Sequence, residues 1–191
     1  MPISINGNTG VITGVAVGGL PDGIVDADML ASGVGGKLLQ VVSTTRTDTF
    51  SESLGVGSLS ADALTVNITP SNANNKIFLT ANVSMGLNND NEVNWVFYKA
   101  GSLLTGGAGT SAGNRKPRTT VGDVRWSGTH HTFSGQYLDT AGGTSQITYS
   151  VKLGHSANGT KTVYLNRSHT DDNYAYDVRS QSTLTAMEVS A

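Results

Sequence analysis

The sequence contains no cysteine, few charged residues and no long apolar segment. The absence of cysteine excludes disulfides, thiolate catalysis and cysteine-based zinc sites. Charged residues make up 14% of the chain, where about 25% is usual. Twelve basic side chains against 14 acidic ones leave no general basic field for nucleic acid. No apolar run approaches the ~20 residues of a membrane-spanning helix.

The composition favours a β-rich domain. Glycine, threonine, serine and asparagine together make up 82 of the 191 residues, and only 37% of the chain is apolar. A coiled coil or helical bundle would need far more alanine, leucine, glutamate and lysine. Strong disorder is disfavoured, because the net charge is only -2 and β-branched residues are plentiful. The N-terminus, Met1-Pro2-Ile3-Ser4, lacks the basic and apolar segments of a secretory signal.

Residues 1–36 are predicted to form an extended, glycine-rich arm. Small and β-branched apolar residues are spaced by glycines, and both residue types disfavour helix. Such a segment has too little apolar area for a core of its own, so it is either disordered or packed against another chain. In the second case the contact residues are the apolar side chains Val11, Ile12, Val15, Val17, Leu20, Ile24, Met29 and Leu30.

Residues 37–191 show the alternation of half-buried antiparallel strands. The clearest apolar faces are Leu64–Ile68, Ile77–Met85, Val93–Phe97 and Ile147–Leu153, and further strands are predicted at Leu38–Thr47, Val121–Ser127, Thr132–Asp139, Thr162–Arg167 and Thr183–Ser190. Turn-forming clusters separate these segments, including Asn158-Gly159, a strong hairpin signal. About nine short strands predict an all-β fold, an antiparallel β-sandwich or jelly roll.

Two segments of the sequence, one toward each end, have a distinctive order of residues. The arm and the start of the domain contain NGNTGVITGV followed by GLPDGIVDADMLASGVGGKLLQVVSTTRTDTFS, and the chain closes with KTVYLNRSHTDD and STLTAMEVSA. These segments resemble short structural proteins of tailed bacteriophages, especially phages of marine bacteria and cyanobacteria. The resemblance brackets the chain but carries no catalytic signature, and residues 86–145 have no matching phrase.

The resemblance implies a tail-fibre or virion-fibre component. Proteins of that family are usually trimeric, with an N-terminal attachment arm, here residues 1–36, and a C-terminal β-rich tip, here residues 37–191. The implied partners are copies of the chain in a homotrimer, other tail or capsid proteins through the arm, and a host surface glycan or protein. Assembly in the reducing bacterial cytoplasm before incorporation into the virion agrees with the lack of cysteine.

The segment Ser168–Asp177 is the richest polar cluster of the chain. Aromatic faces beside short carboxylates and amides suit sugar binding, because rings stack on apolar pyranose faces while carboxylates accept hydroxyl protons. Two carboxylates could instead serve glycoside hydrolysis, or the segment is a solvated loop rich in turn formers. The candidate contact residues are Asp171, Asp172, Asn173, Tyr174 and Tyr176.

A second candidate contact site consists of Trp126, His130 and His131, which flank the turn Ser127-Gly128-Thr129. At a loop tip these rings could contact a glycan or a protein receptor. The alternative places Trp126 in the core and both histidines on the surface, because large aromatic side chains usually serve packing.

Two further polar groups have weaker signals. Asn88, Asp90 and Glu92 offer alternate oxygen ligands for Ca²⁺, but the full calcium-loop pattern is missing, which favours a plain turn. The basic run Arg115-Lys116-Pro117-Arg118, with Arg125 nearby, could meet an acidic surface such as lipopolysaccharide phosphates or a neighbouring capsid protein, or is simply solvated.

The sequence predicts a structural virion protein rather than an enzyme. The Gly-x-Ser-x-Gly spacing at Gly109–Gly113 lies in a glycine-rich loop without the strand–helix context of a nucleophile elbow. There is no phosphate-binding loop and no His-Glu-x-x-His motif, so we expect no catalytic residues, no metal and no cofactor. The first prediction is a trimeric tail fibre that attaches to host cells, with neither nucleic-acid binding nor membrane insertion. A capsid cement or head-decoration protein is the main alternative, and a glycan-degrading tailspike enzyme is a third.

Overall fold

The computed structural model describes residues 4–6, 11–13, 37–126, 128–175 and 177–191. The chain divides into two compact units, Met1–Lys37 and Leu38–Ala191. In the first unit, β1 (Ser4–Asn6) and β2 (Val11–Thr13) form an antiparallel pair. Val11 and Ile12 therefore lie on a strand. The other predicted arm contacts, Val15, Val17, Leu20, Ile24, Met29 and Leu30, lie outside the described residues.

The second unit is built of antiparallel strands, as the alternating apolar pattern predicts. The bounds of these strands are β3 (Leu38–Arg46), β4 (Phe50–Leu54), β5 (Leu59–Ile68), β6 (Lys76–Leu87), β7 (Asn91–Lys99), β8 (Ser102–Leu103), β9 (Thr120–Val124), β10 (His130–Thr140), β11 (Ile147–His155), β12 (Lys161–Leu165) and β13 (Ser182–Val189). A single 3-10 turn, Thr105–Gly107, follows β8 within the described part of the chain.

A six-stranded sheet is arranged around β6. Strand β10 is paired over its whole length, His130–Thr140, with residues Lys76–Gly86 of β6. The other side of β6 is shared, because β13 pairs with its first half and β12 with its last three residues, Met85–Leu87. Strands β3 and β4 continue the sheet outward by pairing with β13 and β12, respectively.

The remaining strands form a five-stranded sheet in the order β5, β11, β7 and β8. Strand β9 also pairs with β7, beside Asn91–Trp95, whereas β8 pairs with Tyr98 and Lys99. Strand β11 is therefore paired on both edges, with β5 and with β7.

The core lies between the inner faces of the two sheets. Ile77, Leu79, Ala81, Val83 and Met85 point inward from β6 and are fully buried. They pack in one cluster with inward residues of the five-stranded sheet, including Trp95 and Phe97 of β7 and Tyr149, Val151 and Leu153 of β11. The rings of Trp95 and Phe97 meet edge to face, with centroids 5.0 Å apart. This packing confirms the predicted all-β sandwich.

Two details of the sequence prediction are wrong. The described residues of the second unit form eleven strands rather than about nine, because the sequence pattern does not mark the short strands β4 and β8. Asn158-Gly159 forms a turn with Gly159 at φ +73°, but the turn joins β11 of one sheet to β12 of the other. A hairpin is impossible there, since both edges of β11 are already paired.

The pairing register defines two ends of the sandwich. Leu38, Val189, Lys76 and Thr140 lie in one row across the six-stranded sheet, where the second unit begins. Gly86 lies in a row at the other end, beside His130 of β10 and Tyr164 of β12. The two rows are ten residue steps apart along β6, from Lys76 to Gly86, which corresponds to ~33 Å. No helix long and apolar enough to cross a membrane occurs among the described residues.

Candidate recognition site at the end of the sandwich

The polar segment Ser168–Asp177 lies in a long loop that interrupts one edge of the sheet. Strands β12 and β13 lie in line beside β6, since Leu165 pairs with Met85 and Thr183 pairs with Asn82. Residues 166–181 therefore leave and rejoin the sheet at almost the same place. We call this segment the excursion loop; its residues are described except Tyr176.

Asn166 closes the base of the excursion loop. Its left-handed backbone, at φ 64°, turns the chain out of the sheet, and the residue is fully buried. The side-chain amide donates to the carbonyls of Arg46 and Asp48 at 2.9 and 2.8 Å, at the break in the chain between β3 and β4. Its Oδ1 accepts a hydrogen bond from Ser182 Oγ at 2.6 Å, so both ends of the loop are fastened to each other.

Two arginine side chains of the excursion loop approach the carboxylate of Asp171. Arg179 donates to both of its carboxylate oxygens, with Nε–Oδ1 and Nη2–Oδ2 distances of 3.0 and 2.7 Å. Arg167 lies 3.7 Å from the same carboxylate and also stacks over the Tyr164 ring, 4.3 Å from its centroid. The hydrogen bond from Arg179, only partly opposed by desolvation, lowers the pKa of Asp171. The carboxylate is therefore ionised at neutral pH.

The turn that contains Trp126 lies next to this loop. The backbone N–H and hydroxyl of Thr129 both donate to the Trp126 carbonyl, at 2.9 and 2.8 Å, and close the turn. His130 then begins β10 opposite Gly86. Desolvation, reinforced by repulsion from His131, lowers the pKa of His130, although Asp171 acts in the opposite direction. We call residues 126–130 the tip turn; Ser127 lies outside the described residues.

The tip turn and the excursion loop form one continuous surface. Gly128, Thr129 and His130 line a cavity of about 250 Å³ together with Ser168 and Val178 of the loop. A neighbouring shallow cleft of about 450 Å³ is lined by Asp171, Asp172, Asn173, Tyr174, Asp177 and Arg179. The two aromatic side chains that flank this surface are open to solvent, with Trp126 69% and Tyr174 59% exposed.

The structure thus joins two groups of residues that the sequence presented separately. His130 and Asp171 lie close enough to influence each other's ionisation, although 41 positions separate them in the chain. The alternative that places Trp126 in the core is wrong, because its strand ends at Val124 and the indole is exposed. Asp172 and Asn173 are exposed in the cleft around Asp171, whereas His131 is exposed on the opposite face of β10, with its ring 6.4 Å from that of Phe133. Tyr176 lies outside the described residues.

Sequence reasoning missed the residues that hold this surface in place. Tyr164 donates to or accepts from His169 Nδ1 at 2.8 Å, and Arg167 and Arg179 both approach Asp171. A signal for the arginines was present, because Arg167 and Arg179 bracket the acidic segment in the sequence. The role of Tyr164 had no such signal, since its strand pattern alone predicts only packing.

Of the three proposed calcium ligands, Asn88 has its side chain engaged in the turn between β6 and β7. Asn88 Oδ1 accepts a hydrogen bond from the Thr162 backbone at 2.9 Å, and Asn91 Oδ1 accepts one from the Glu92 backbone. No group of three or more acidic or histidine side chains is placed to hold a metal ion in the part of the chain that the structure describes. Asn88 thus acts as a turn residue, as the simpler interpretation predicts.

Asp171 does not have the property expected of a glycosidase general acid. A retaining or inverting glycosidase needs one carboxyl group with a raised pKa to act as the general acid. Asp171 has the opposite property, because its arginine partner keeps it ionised. Exposed rings beside fixed carboxylates and guanidinium groups instead offer stacking and hydrogen bonds to a polar ligand.

No protein-family model matches the chain, and a search of curated proteins returns no significant match.

Proposed function

We propose that this protein is a structural component of a phage virion, a trimeric tail-fibre subunit whose sandwich contacts a glycan or protein on the host surface. The contact is made by the surface that the tip turn and the excursion loop form together, which we call the recognition surface. The observation that carries this proposal is the polar and aromatic surface around Asp171, with Trp126 and Tyr174 exposed beside it.

The placement of the two ends supports this arrangement. Leu38, where the sandwich begins, lies in the end row of the sheet opposite to His130 and Gly86. A chain that is attached through residues 1–36 can therefore present the tip turn away from its point of attachment. Recognition by several copies on one particle raises avidity by roughly 10²–10⁴ even when each site is weak.

An apolar row on the outer face of the six-stranded sheet supports self-association. Val41, Met187, Phe78 and Leu138 pair side by side across four strands. Val41 and Leu138 are about half exposed, and Leu38 and Leu39 extend the same apolar area. The next row consists of Ser43, Thr185, Thr80 and Gln136, without charge. Such a contiguous apolar surface is typical of an interface between subunits.

Replacement of Trp126 tests the recognition surface. We expect Trp126→Ala to reduce binding of the full chain to its polysaccharide by roughly tenfold, because an exposed aromatic anchor is a typical hot spot. The measurement is binding to a panel of purified lipopolysaccharides and capsular polysaccharides of marine bacteria. Gln146→Ala, which truncates an exposed side chain between β10 and β11, outside the tip turn and the apolar row, serves as the control. Equal binding by wild type and Trp126→Ala would exclude the tip turn as the contact.

A further inference from the structure

A second cavity, separate from the recognition surface, lies at the edge of the five-stranded sheet and has a volume of about 630 Å³. Four segments meet there: the turn after β4, the start of β7, residues 114–121 and the end of β11. We call it the Arg118 cavity. Val56 and Val121 give it an apolar wall, and Arg115, Lys116 and Arg118 contribute three cations.

Arg118 is held rigidly in this cavity by neutral oxygens. Its Nε donates to Asn94 Oδ1 at 2.6 Å, and its Nη2 donates to the Gly57 carbonyl at 3.0 Å. Nη1 donates to the Pro117 carbonyl at 2.8 Å. A guanidinium group carries five N–H donors, so these bonds leave two N–H groups for another acceptor. Because Asn94 is itself almost fully buried, the orientation of the guanidinium is set by the fold.

The positive charge of the Arg118 cavity is not neutralised by the protein. None of the ion pairs among the described residues includes Arg115, Lys116 or Arg118. Glu92 lines the same cavity and is the carboxylate among its lining residues. The net charge of the lining is therefore positive.

Other partly buried cations of this fold do meet carboxylates. Lys99 lies 2.7 Å from Asp139, and Lys152 lies 3.1 Å from Asp62. Arg118 is also partly buried, and desolvation lowers its pKa, but its bonding partners are an amide and two carbonyl oxygens. A partly desolvated guanidinium without a counter-ion gains more from an added anion than a fully hydrated one does.

His155 adds an unused acceptor to the wall of the Arg118 cavity. The residue is only 1% exposed, and its Nε2 lies 2.8 Å from the Leu54 carbonyl. Because a carbonyl only accepts, Nε2 carries the proton and Nδ1 is an acceptor. Nδ1 has no hydrogen-bond partner among the described residues.

We propose that the Arg118 cavity binds an acidic polysaccharide, with the anionic group of one sugar unit on Arg118, Arg115 and Lys116. The apolar wall formed by Val56 and Val121 then faces the sugar ring, and the exposed Ser156 hydroxyl is available to its hydroxyl groups. The carboxylate of a uronic acid, a sulfate ester and a phosphate ester share the required chemistry. This site is independent of the tip turn and of the viral role proposed above.

Calorimetric titration of the full chain at low ionic strength tests this site. The probes are uronic-acid, sulfated and phosphorylated oligosaccharides of matched length, with a neutral dextran fragment as the uncharged control. We expect at least one acidic probe to bind and dextran not to bind. Arg118→Gln should weaken binding by roughly tenfold or more, because hydrogen bonds to charged groups are the strong ones.

Three further variants separate specific binding from loss of folding. The double variant Arg115→Gln/Lys116→Gln changes exposed side chains only, and we expect roughly fivefold weaker binding with an unchanged melting temperature. Glu92→Gln removes the repelling carboxylate and should tighten binding by roughly threefold. Arg125→Gln, an exposed cation paired with Asp123 outside the cavity, should change little.

Several results would overturn this proposal. One is that none of the three acidic probes binds. Another is that Arg125→Gln loses as much affinity as the double variant, and a third is that Glu92→Gln leaves the affinity unchanged. Preference for a single-stranded oligonucleotide of equal charge would also contradict it. If Arg118→Gln fails to fold, the double variant and Glu92→Gln still decide the question.

Discussion

Glu188 is a charged residue buried at the end of the sandwich where the second unit begins. Its carboxylate accepts hydrogen bonds from Gln40 and Asn75 at 2.6 Å and from the Ser71 backbone and hydroxyl at 2.7 and 2.8 Å. Burial alone would raise the pKa of Glu188, but these donors outweigh it and lower the pKa to about 2. The carboxylate thus ties β3, β13 and the loop before β6 together.

Replacement of Glu188 tests this role. Glu188→Gln presents an amide to donors that require acceptors, so we expect a loss of ~2 kcal/mol in the free energy of unfolding at pH 7. Because the folded pKa lies below the ordinary value of 4.5, Glu188 contributes stability above that pH, which disappears as the pH falls toward about 2.

The measurement is denaturant unfolding of wild type and Glu188→Gln between pH 2 and 7. The difference between the two proteins should shrink as the pH falls through this range. Glu92→Gln, which changes an exposed carboxylate, should follow the wild-type curve. A constant difference at every pH would show that the carboxylate has no such linkage.

Buried apolar residues were more predictable than buried polar ones. Alternation in the sequence gave Ile77–Met85 and Ile147–Leu153 the inward faces that they have in the structure. Glu188 also falls on an inward position of a predicted strand, yet the pattern says nothing of its partners, because Gln40 and Asn75 are more than 100 residues away. Only the folded register brings those donors to it.

At the scale of elements, the position of the excursion loop depends on close packing against β6. A Cβ atom at Gly86 would lie 2.5 Å from the Arg167 carbonyl oxygen and 3.1 Å from Ser168 Cα. Both are backbone atoms and cannot rotate away. Glycine at this position therefore allows the base of the loop to lie directly on the central strand.

Gly86→Ala should displace the excursion loop while the sheets remain. We expect a loss of ~1–3 kcal/mol in stability and faster cleavage by trypsin after Arg167 and Arg179, because overpacking forces backbone shifts. The measurement is limited proteolysis with mass spectrometry of the fragments. Gly143→Ala is the matched control, since an added Cβ there meets nothing within 4 Å. Cleavage at the wild-type rate would contradict the inferred contact.

Strand existence could be predicted from the sequence, but strand neighbours could not. The predicted range Thr183–Ser190 differs by one residue at each end from β13, Ser182–Val189. Nothing in the pattern shows that β12 and β13 share one side of β6, since that depends on pairing between segments far apart in the chain. The recognition surface exists because of this pairing, so the sequence presented its two parts as unrelated clusters.

At the scale of the whole molecule, the sandwich has two distinct surfaces, one apolar and one aromatic and charged. The half-exposed apolar row lies along the outer face of the six-stranded sheet, and the aromatic and charged surface lies at the end away from Leu38. Low apolar content, which first excluded whole classes of protein, agrees with a subunit that completes its packing against copies of itself. The glycan and partner assignments are proposals built on this arrangement.

Cryo-electron microscopy of a virion that contains this chain tests the central claim most directly. The account predicts three copies around a common axis on a tail fibre, with residues 1–36 toward the particle and Trp126 and the excursion loop pointing outward. The chain would instead be a decoration protein if it forms a regular lattice on the head with the tip turn buried against capsid subunits. That result, or its absence from purified particles, would contradict the proposed function.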